Sequence, residues 1–431
     1  MNHNSHNLIS VLHLHNSAGT GGAFISTDRL HQALKKLGVE STVLYRYLEK
    51  YSPEKNLNGY LPFSQKRYFF EKLSSKLFKE LELEDAANFS AFFLKNKDVF
   101  RRSSLLHLHN INGDFFSYLA LPLLTKDKPC IWTLHDMWSF TGHCAYSYDC
   151  QRWQTGCGKC PYPDALPPIE RDTTSLQWKL KKWAYSHSKL TIVCHSLWMK
   201  KQVEQSMLKD FPIYHIPNGL DLEVYQPLDV KNCRGALGIP LDKKVLIFGA
   251  ETLSNPRKGS ELLLKALSRL PKSLKAKTLL LTFGKTAKAI SEAVEIPTQH
   301  LGYINSDWIK AIAYSAADLF LFPTRAENFG LVALESMACG TPTVSFNIGG
   351  VPESVRHLIT GYLATPEDPD DFCHGIVQLL SDECLRTQLS QNGRKIAVQE
   401  YSLELHTKRY LDLYTRLITP GSPTFSGVRE K

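Results

Sequence analysis

The sequence lacks the features that mark membrane-spanning, secreted and nucleic-acid-binding proteins. Its 431 residues contain no uncharged apolar run near the ~18 residues that a membrane helix requires. Residues 1–10 show no basic segment followed by an apolar one, so they do not resemble a secretory signal. No recognised nucleic-acid-binding module occurs. These absences predict a cytoplasmic protein with no nucleic-acid partner.

Cysteine, in contrast, is concentrated in one segment. The chain has 10 cysteines, and a cytoplasmic protein is not expected to join them in a disulfide scaffold. Four of them, Cys144, Cys150, Cys157 and Cys160, lie close together, and the last two form a Cys-x2-Cys pair. Thiolates at this spacing favour a tetrahedral, structural zinc site, in which His143 could replace one ligand. Four reduced thiols packed in a loop are the alternative.

The net charge of +9 comes mainly from residues 1–217. Two segments there, Lys66–Glu80 and Leu94–Ser104, interleave Lys and Arg with Phe or Tyr. This pattern suits an anionic membrane surface or a phosphate-bearing partner. A solvated helix face is the alternative.

Short apolar runs alternate with longer amphipathic stretches along most of the chain, a pattern typical of βαβ units and parallel sheets. The runs form two series with a break near Pro217–Pro227, and the length suits two domains of roughly 200 residues each. We therefore predict two doubly wound, Rossmann-like α/β domains, 1–217 and 218–400, that face each other across a cleft. Ligands in such sheets bind at the carboxyl ends of the strands. The tail, 419–431, has linker composition and is predicted to be disordered.

The segment Ala317–Glu353 is the most informative part of the second domain. A strand is expected to end at Phe322, before a loop with Glu327 and a helix whose first turn lies at Asn328–Leu331. The free N–H groups of a first helical turn form a cradle for pyrophosphate. Glu327 and Glu335, eight positions apart, could both face one ligand and accept hydrogen bonds from its hydroxyls. A surface helix with two solvated glutamates is the alternative.

Two cations precede another predicted helix of this domain. Arg257 and Lys258 follow a strand and are well placed to neutralise a bound phosphate group. Such cations, with a helix N-terminus, leave no need for a catalytic metal. The acidic string Glu367–Asp371 looks like a magnesium site, but we interpret it as a helix cap.

Three predicted strands of the first domain end in histidine-containing strings. In a strand alternate residues share a face, so each His-x-His pair could bind zinc, but the spacing supplies no further ligand. The strings are LHLHN at Leu12–Asn16, LHLHN at Leu106–Asn110 and TLHD at Thr133–Asp136.

The strand ends are expected to deliver His15, His109 and His135 to the edge of the cleft. His13 and His107 are expected to be satisfied within the domain.

A glycine-rich link, Ser17–Phe24, joins the first strand to a helix. It is neither a Walker loop nor a complete G-x-G-x-x-G motif, because Phe24 occupies the third glycine position. By itself it is weak evidence for phosphate binding.

The segment Ala317–Glu353, with its E-x7-E motif, ACGTPTV and GGVPE strings, resembles the retaining glycosyltransferases of family 4, which have the GT-B fold. The TLHD string and the cysteines that follow it are similar to those of colanic-acid and other exopolysaccharide glycosyltransferases. In such enzymes the final helix, here 401–418, packs back on the first domain. The Cys-rich insertion, 144–160, belongs to the acceptor-binding first domain.

The resemblance implies a role for each candidate residue. Glu327 would hold hydroxyls of the donor sugar, Glu335 the ribose, and His135 would touch the reacting region without being the nucleophile. Lys258 matches the family more closely than Arg257, which as an alternative is a solvated neighbour. The remaining implied donor-binding residues are Gly21, Gly22, Asn328, Phe329, Gly330 and Leu331, and the acceptor-side residues are His15, His109 and Asp136.

By this resemblance the protein transfers a hexose from a UDP- or GDP-sugar to a hydroxyl of a glycan, lipid-linked at the inner membrane face, in exopolysaccharide or O-antigen synthesis. Two other functions stay open. A GT-B epimerase would need an acid/base pair around the sugar ring, which we cannot identify. A zinc-stabilised module that binds an anionic surface would leave Glu327, Glu335 and Lys258 without a role.

Overall fold

A computed structural model of the protein describes residues 9–19, 21–48, 59–62, 78–80, 82–249, 255–284 and 294–419. Of the predicted disordered tail, all but Thr419 lies outside the described residues. Of the basic segment Lys66–Glu80, only 78–80 are described.

The first domain is built on a parallel sheet of seven strands in the order β3-β2-β1-β4-β5-β6-β7. This order reverses between β1 and β4, as in doubly wound dinucleotide-binding folds. The strands β4 and β5 are buried at every residue, as expected for the centre of a parallel sheet. The strands are β1 Ser10–Ala18, β2 Glu40–Leu48, β3 Tyr60–Pro62, β4 Leu105–Leu108, β5 Cys130–Leu134, β6 Thr191–Cys194 and β7 Ile213–His215.

The second domain repeats this topology with a parallel sheet of six strands in the order β10-β9-β8-β11-β12-β13. The reversal of order falls between β8 and β11, so both sheets place their switch point at the same position. The predicted α/β class with two doubly wound sheets is confirmed. The strands are β8 Lys244–Gly249, β9 Thr278–Phe283, β10 Thr298–His300, β11 Leu319–Phe322, β12 Thr343–Phe346 and β13 Gly361–Ala364.

Helices cover both faces of each sheet and bury apolar clusters against it. Several of them begin at a side chain that caps the first turn, for example Ser306 and Ser402. The α-helices are Gly22–Lys36, Asp98–Arg102, Leu121–Leu124, Thr174–Ser186, Leu197–Val203, Val230–Leu237, Ser260–Ser268, Lys272–Lys277, Asp307–Ala316, Leu331–Ala338, Val351–Ser354, Pro369–Ser381, Glu383–Glu400 and Leu403–Ile418. Short 3-10 helices span Glu84–Ala86, Phe89–Asn96, Tyr118–Ala120, Trp138–Phe140, Arg152–Gln154 and Pro256–Lys258.

The acidic string Glu367–Asp371 is a helix cap, as predicted. The side chain of Asp368 accepts hydrogen bonds from the backbone N–H groups of Asp370 and Asp371 at the start of the helix Pro369–Ser381. The helix after Glu327, however, begins at Leu331 and not at Asn328. The loop therefore runs three residues further than the sequence pattern indicated.

The last described helix, Leu403–Ile418, packs against the first domain. The hydroxyl of Tyr414 lies 2.8 Å from His107 Nδ1, and that of Tyr410 lies 2.8 Å from Thr133 Oγ1. No helix within the described residues is long and apolar enough to cross a membrane.

Candidate active site

A cleft of about 550 Å³ separates the carboxyl ends of the two sheets. Both domains line it, and most of the residues singled out in the sequence reach it. From the first domain come Gly21, Gly22, His15, His135, Asp136, Tyr146 and His195, and from the second Arg257, Lys258, Glu327, Asn328, Phe329, Gly330, Leu331 and Glu335.

Glu327 lies in the cleft between two cations. One carboxylate oxygen, Oε2, lies 3.0 Å from Arg257 Nη1 and 3.6 Å from Lys258 Nζ. Burial by itself would raise the pKa of Glu327, but Arg257 and then Lys258 lower it below its ordinary value. Glu327 is thus an anion held in place by cations.

Arg257 is not the solvated neighbour that the sequence left open as an alternative. Its side chain is only 19% exposed, it donates to the carbonyl of Ala326 at 2.7 Å, and it lies over the ring of Tyr146, 4.9 Å from the ring centre. The hydroxyl of Tyr146 also approaches Glu327 Oε1 at 3.5 Å. The sequence pattern did not single out Tyr146, although it lies within the Cys-rich insertion.

The backbone around Glu327 needs glycine at two points. Gly330 caps the helix Leu331–Ala338 with φ +83°, a conformation that other residues rarely adopt. A Cβ at Gly349 would overlap the carbonyl oxygen of Glu327. The glycines of this segment therefore serve to bring the loop and the helix start together at the cleft.

The side chains of Asn328 and Phe329 make contacts within the protein, whereas the diphosphate contact of their backbone amides stays a prediction. The side chain of Asn328 donates to the carbonyls of Leu134 and His135 in the first domain, at 3.1 and 3.2 Å, and its backbone N–H donates to the Glu327 carboxylate. Phe329 is buried and packs edge-on against Tyr401. The free amides of the helix are those of its true first turn, which begins at Leu331.

Glu335 lines the cleft, but it is buried and ion-paired across the domain boundary. Its Oε1 lies 2.7 Å from Arg29 Nη2, and Arg29 also approaches Asp307 at 3.4 Å. The other oxygen, Glu335 Oε2, is buried without a hydrogen-bond partner among the described residues. The sequence indicated Glu335 but not Arg29, since a lone arginine in an amphipathic helix is ordinarily solvated.

The structure brings the histidines at the strand ends of the first domain into one buried group. In register, His13 of β1 lies beside His107 of β4, so the two LHLHN strings occupy equivalent positions in neighbouring strands. His15 and His135 line the cleft as predicted. His109 does not line the cleft. It lies behind His135, and a hydrogen bond of 3.1 Å joins His109 Nδ1 to His135 Nε2.

Both ring nitrogens of His107 are satisfied at 2.8 Å, one by the hydroxyl of Thr133 within the domain, as predicted, and the other by the hydroxyl of Tyr414 in the last helix. His13 is only half satisfied. Its Nδ1 lies 3.1 Å from His109 Nε2, but within the described part of the chain its Nε2 has no partner.

A fourth histidine at a strand end, His195, was missed. It follows β6 and lines the cleft, with its ring centre 5.1 Å from that of His135. The sequence contains the same pattern here, because the apolar run Thr191–Cys194 is followed directly by a histidine, as in the other strands. Burial lowers the pKa of His195 and of His15 to about 4, so both rings are neutral near pH 7.

Asp136 lies at the first-domain side of the cleft. Its carboxylate accepts a hydrogen bond from the backbone N–H of Trp138 at 2.9 Å, which holds it in place. Burial raises the pKa of Asp136 to about 6. This is the range in which a carboxyl group can exchange protons near neutral pH.

The four clustered cysteines lie in one loop but are not gathered as a finished metal site. Within the described residues, the one group of three or more metal-binding side chains whose ligand atoms all lie within 4.8 Å of one another is His13, His107 and His109. Near the cysteines, His143 Nε2 lies 3.3 Å from Cys160 Sγ. The zinc site therefore stays a prediction.

Two family models match consecutive parts of the chain. That of Glycosyltransferase Family 4 matches residues 20–224, and that of Glycosyl transferases group 1 matches residues 229–396.

Curated relatives match about half of the chain. A D-inositol 3-phosphate glycosyltransferase of Mycobacterium avium is 33% identical over 220 residues, or 49% of this chain and 50% of the relative. An N-acetyl-alpha-D-glucosaminyl L-malate synthase of Bacillus anthracis is 30% identical over 230 residues, or 52% of this chain and 58% of the relative. The chain thus spans about half the length of the curated relatives it matches.

Solved structures match nearly the whole chain. The sucrose-phosphate synthase of Thermosynechococcus elongatus has a TM-score of 0.69 at 20% identity and covers 95% of this chain and 99% of its own. The Anabaena protein Alr3699/HepE, in complex with UDP and glucose, has a TM-score of 0.65 at 17% identity and covers 94% of this chain and 99% of its own. The likeness confirms the predicted GT-B fold.

Proposed function

We propose that this chain, which belongs to the family 4 and group 1 glycosyltransferases, transfers a hexose from a UDP- or GDP-sugar to a hydroxyl of a glycan with retention of configuration. One observation carries the proposal, namely the Glu327 carboxylate held between Arg257 and Lys258 beside the start of a helix, inside the cleft between the domains.

The second domain would bind the donor. Lys258 and Arg257 lie where they can neutralise a diphosphate, and the first-turn amides that begin at Leu331 add the positive end of a helix dipole. The Glu327 carboxylate would accept hydrogen bonds from sugar hydroxyls. The unpartnered oxygen of Glu335 suits a ribose hydroxyl, because a buried acceptor gains most from a new donor.

The carboxylates of the cleft favour one route to retention. A covalent intermediate needs a free carboxylate beside the anomeric carbon, but the two carboxylates of the proposed donor-binding domain, Glu327 and Glu335, are each ion-paired, and Asp136 lies on the first-domain side of the cleft. Attack on the face of the departing diphosphate needs no such group, since the leaving phosphate can accept the acceptor's proton. His135 would then position the sugar, and Asp136 would assist on the acceptor side.

The acceptor would be a lipid-linked glycan at the inner face of the membrane, in exopolysaccharide or O-antigen synthesis. An exposed segment of the first domain supports this part of the proposal. Phe93 is 51% exposed, and the nearby Lys95, Arg101 and Arg102 are exposed as well. Exposed aromatic and basic side chains together bind anionic bilayers.

Binding to vesicles tests the membrane partner. The parent should sediment with vesicles that contain anionic phosphatidylglycerol and not with neutral ones, and the variant Phe93→Ser/Arg102→Gln should lose most of this binding. Trp308→Ser is the matched control, because Trp308 is 53% exposed but lies in the second domain. Equal sedimentation of the parent with both kinds of vesicle would contradict the assignment.

The transfer itself is tested with a panel of UDP- and GDP-sugars and lipid extract as acceptor. One donor should be consumed with formation of a glycolipid, and Glu327→Ala should abolish this transfer. Glu367→Ala is the control, because Glu367 forms an exposed pair with Arg325. If every donor is inert, or if Glu327→Ala is as active as the parent, the proposed function fails.

Two cheap measurements separate the other functions. An epimerase would convert the donor sugar without an acceptor. A binding module for anionic surfaces would show no thermal stabilisation by UDP or GDP, whereas a nucleotide at 100 times its Kd stabilises its protein by about 2.7 kcal/mol.

The zinc at Cys144, Cys150, Cys157 and Cys160 is a separate proposal. If these thiolates coordinate zinc in a tetrahedral site, the purified chain will contain close to one zinc ion per molecule, and strong chelation will lower its melting temperature. Absence of zinc from the purified chain, with full transfer activity after chelation, would refute it.

A further inference from the structure

Three imidazoles form a hydrogen-bonded row from the cleft into the first domain. His135 lines the cleft, and its Nε2 lies 3.1 Å from His109 Nδ1. The other nitrogen of His109, Nε2, lies 3.1 Å from His13 Nδ1. The three side chains come from the neighbouring strands β5, β4 and β1, so the sheet itself sets their spacing.

The three rings are neutral. Burial lowers the pKa of His13, His109 and His135 well below the ordinary value, and neighbouring imidazoles lower it further. A neutral imidazole has one N–H and one bare nitrogen. Each bond of the row therefore needs a donor on one ring and a bare nitrogen on the next.

Only two proton arrangements satisfy both bonds. In the first, each ring carries its proton on Nδ1, so His13 donates to His109 and His109 donates to His135. In the second, each ring carries its proton on Nε2 and the bonds run the other way. The arrangements differ at the two ends of the row, which are His13 Nε2 and His135 Nδ1.

The inner end favours the first arrangement. His13 Nε2 is buried without a partner among the described residues, and the second arrangement would leave an N–H there. Orphaned buried N–H groups are rare in proteins. In the first arrangement this position holds a bare nitrogen.

A neighbouring ring shows the same pattern. His195 Nδ1 lies 2.9 Å from the carbonyl of Ile216. A carbonyl can only accept, so His195 carries its proton on Nδ1. This leaves a bare, buried Nε2 that has no partner within the described residues, as proposed for His13.

We propose that His109 and His13 are positioning residues that hold His135 in its Nδ1–H form, so that His135 offers the cleft a hydrogen-bond donor. Where the proposed function holds, this N–H points to an oxygen of the bound sugar. His135 then cannot remove a proton from the acceptor with Nδ1, because that nitrogen already carries one.

A metal ion shared by His13, His107 and His109 is a weaker explanation of the cluster. Their ligand atoms lie within 4.8 Å of one another, but both ring nitrogens of His107 already bond to hydroxyls at 2.8 Å. A metal would have to break one of these buried bonds and also one of the two hydrogen bonds of His109, to His13 or to His135.

Nitrogen-15 NMR of the histidine-labelled full-length chain near pH 7.5 tests the proposal directly. The signals of His135 are assigned as those missing from His135→Asn. They should show a protonated Nδ1 and a bare Nε2. A protonated Nε2 on His135 would overturn the proposal.

Two variants of His13 test the coupling along the row. His13→Asn retains a donor at the position of Nδ1, whereas His13→Leu removes it. We expect His13→Leu to populate both forms of His135 and His13→Asn to restore the parent spectrum. An unchanged His135 spectrum in a folded His13→Leu variant would overturn the role of His13, and the parent spectrum still tests the form of His135 if that variant does not fold.

Transfer kinetics add a second readout. Loss of the correctly placed donor should lower kcat for His13→Leu by about five- to tenfold with little change in KM, as expected for one neutral hydrogen bond, and His13→Asn should recover most of it. The NMR result does not depend on activity. An Nδ1–H form without any transfer would refute the proposed function alone, and transfer with an Nε2–H form would refute this inference alone.

Discussion

At the carboxyl ends of its central strands the first sheet presents mainly imidazoles to the cleft, whereas the second sheet presents a carboxylate, a guanidinium and an ammonium group. His135 and His195 directly follow β5 and β6, while Glu327 and the pair Arg257 and Lys258 follow β11 and β8. The first six strands of the seven-stranded sheet have the same order as the six strands of the other sheet. One topology thus places a mainly neutral set of side chains, the neutral wall, and a charged set, the charged wall, on opposite sides of one cleft.

The difference follows from whether the buried side chains on each wall have partners of opposite charge. No described residue supplies a counter-charge to these imidazoles, so burial keeps them neutral. Glu327 keeps its charge in a similarly buried position because two cations pair with it. A ligand with a diphosphate at one end and hydroxyls at the other would therefore find its charge matched on one side only.

The strongest test of this asymmetry removes a cation from the charged wall. Lys258→Gln should lower kcat/KM for transfer by about 10²–10³-fold, because charge that develops on a leaving phosphate would lose its neutralisation. Steady-state kinetics with the donor found in the panel would measure this. Lys265→Gln is the control, since Lys265 forms an exposed pair with Glu261 in the next helix, and it should be active. A loss below threefold for Lys258→Gln would show that the charge on this wall does not act on the donor.

A second test asks whether the charged wall depends on the first domain. Arg29→Met should destabilise the fold by about 3–5 kcal/mol, because it leaves the Glu335 carboxylate buried without its cation. Urea denaturation would measure this, and Arg29→Met/Glu335→Met should recover most of the loss. Arg325→Met breaks an exposed pair with Glu367 and should cost about 1 kcal/mol or less. Equal losses of unfolding free energy in Arg29→Met and Arg325→Met would mean that the buried pair stabilises the fold no more than the exposed pair.

The smallest expected effect concerns the one carboxylate of the neutral wall. Burial raises the pKa of Asp136 from 3.8 to about 6 in the folded chain. Its protonated form therefore contributes stability that is complete below the unfolded pKa and lost as the pH rises to about 6. Asp136→Asn cannot ionise, so its stability relative to the parent should rise by roughly 2–3 kcal/mol between about pH 4 and 6 and then level off.

Urea denaturation of both chains across this pH range measures the difference. A difference that does not change with pH would show that Asp136 is ionised in the folded chain as readily as in the unfolded one. The neutral wall would then be charged already between about pH 4 and 6, and the contrast between the walls would be weaker in that range.

The second-domain site was predicted in more detail than the first. Its residues lie in one segment around Glu327 and Glu335, where strand, loop and helix follow directly, so local pattern and family resemblance both apply. Even there the helix start was placed three residues early, because the left-handed backbone of Gly330 caps the helix, and Asn328 before it donates its side chain to carbonyls of the first domain. Nothing in the local sequence shows this cross-domain contact.

In the first domain, the alternation of apolar and polar residues determined which segments are strands and that the histidines lie near their ends. It did not determine which ring reaches the cleft. His109 and His135 both follow buried strands, but the order of the strands and the two hydrogen bonds to His109 put it behind His135.

The sequence by itself determined the two series of strands, the family and the chemical types at the strand ends, because these depend on local composition and spacing. The tertiary structure alone decided the partners, namely Arg29 for Glu335, Arg257 for Glu327 and the row from His135 to His13. These pairs join residues far apart in the chain, so burial and sheet register, which no local pattern records, set their charge and proton positions.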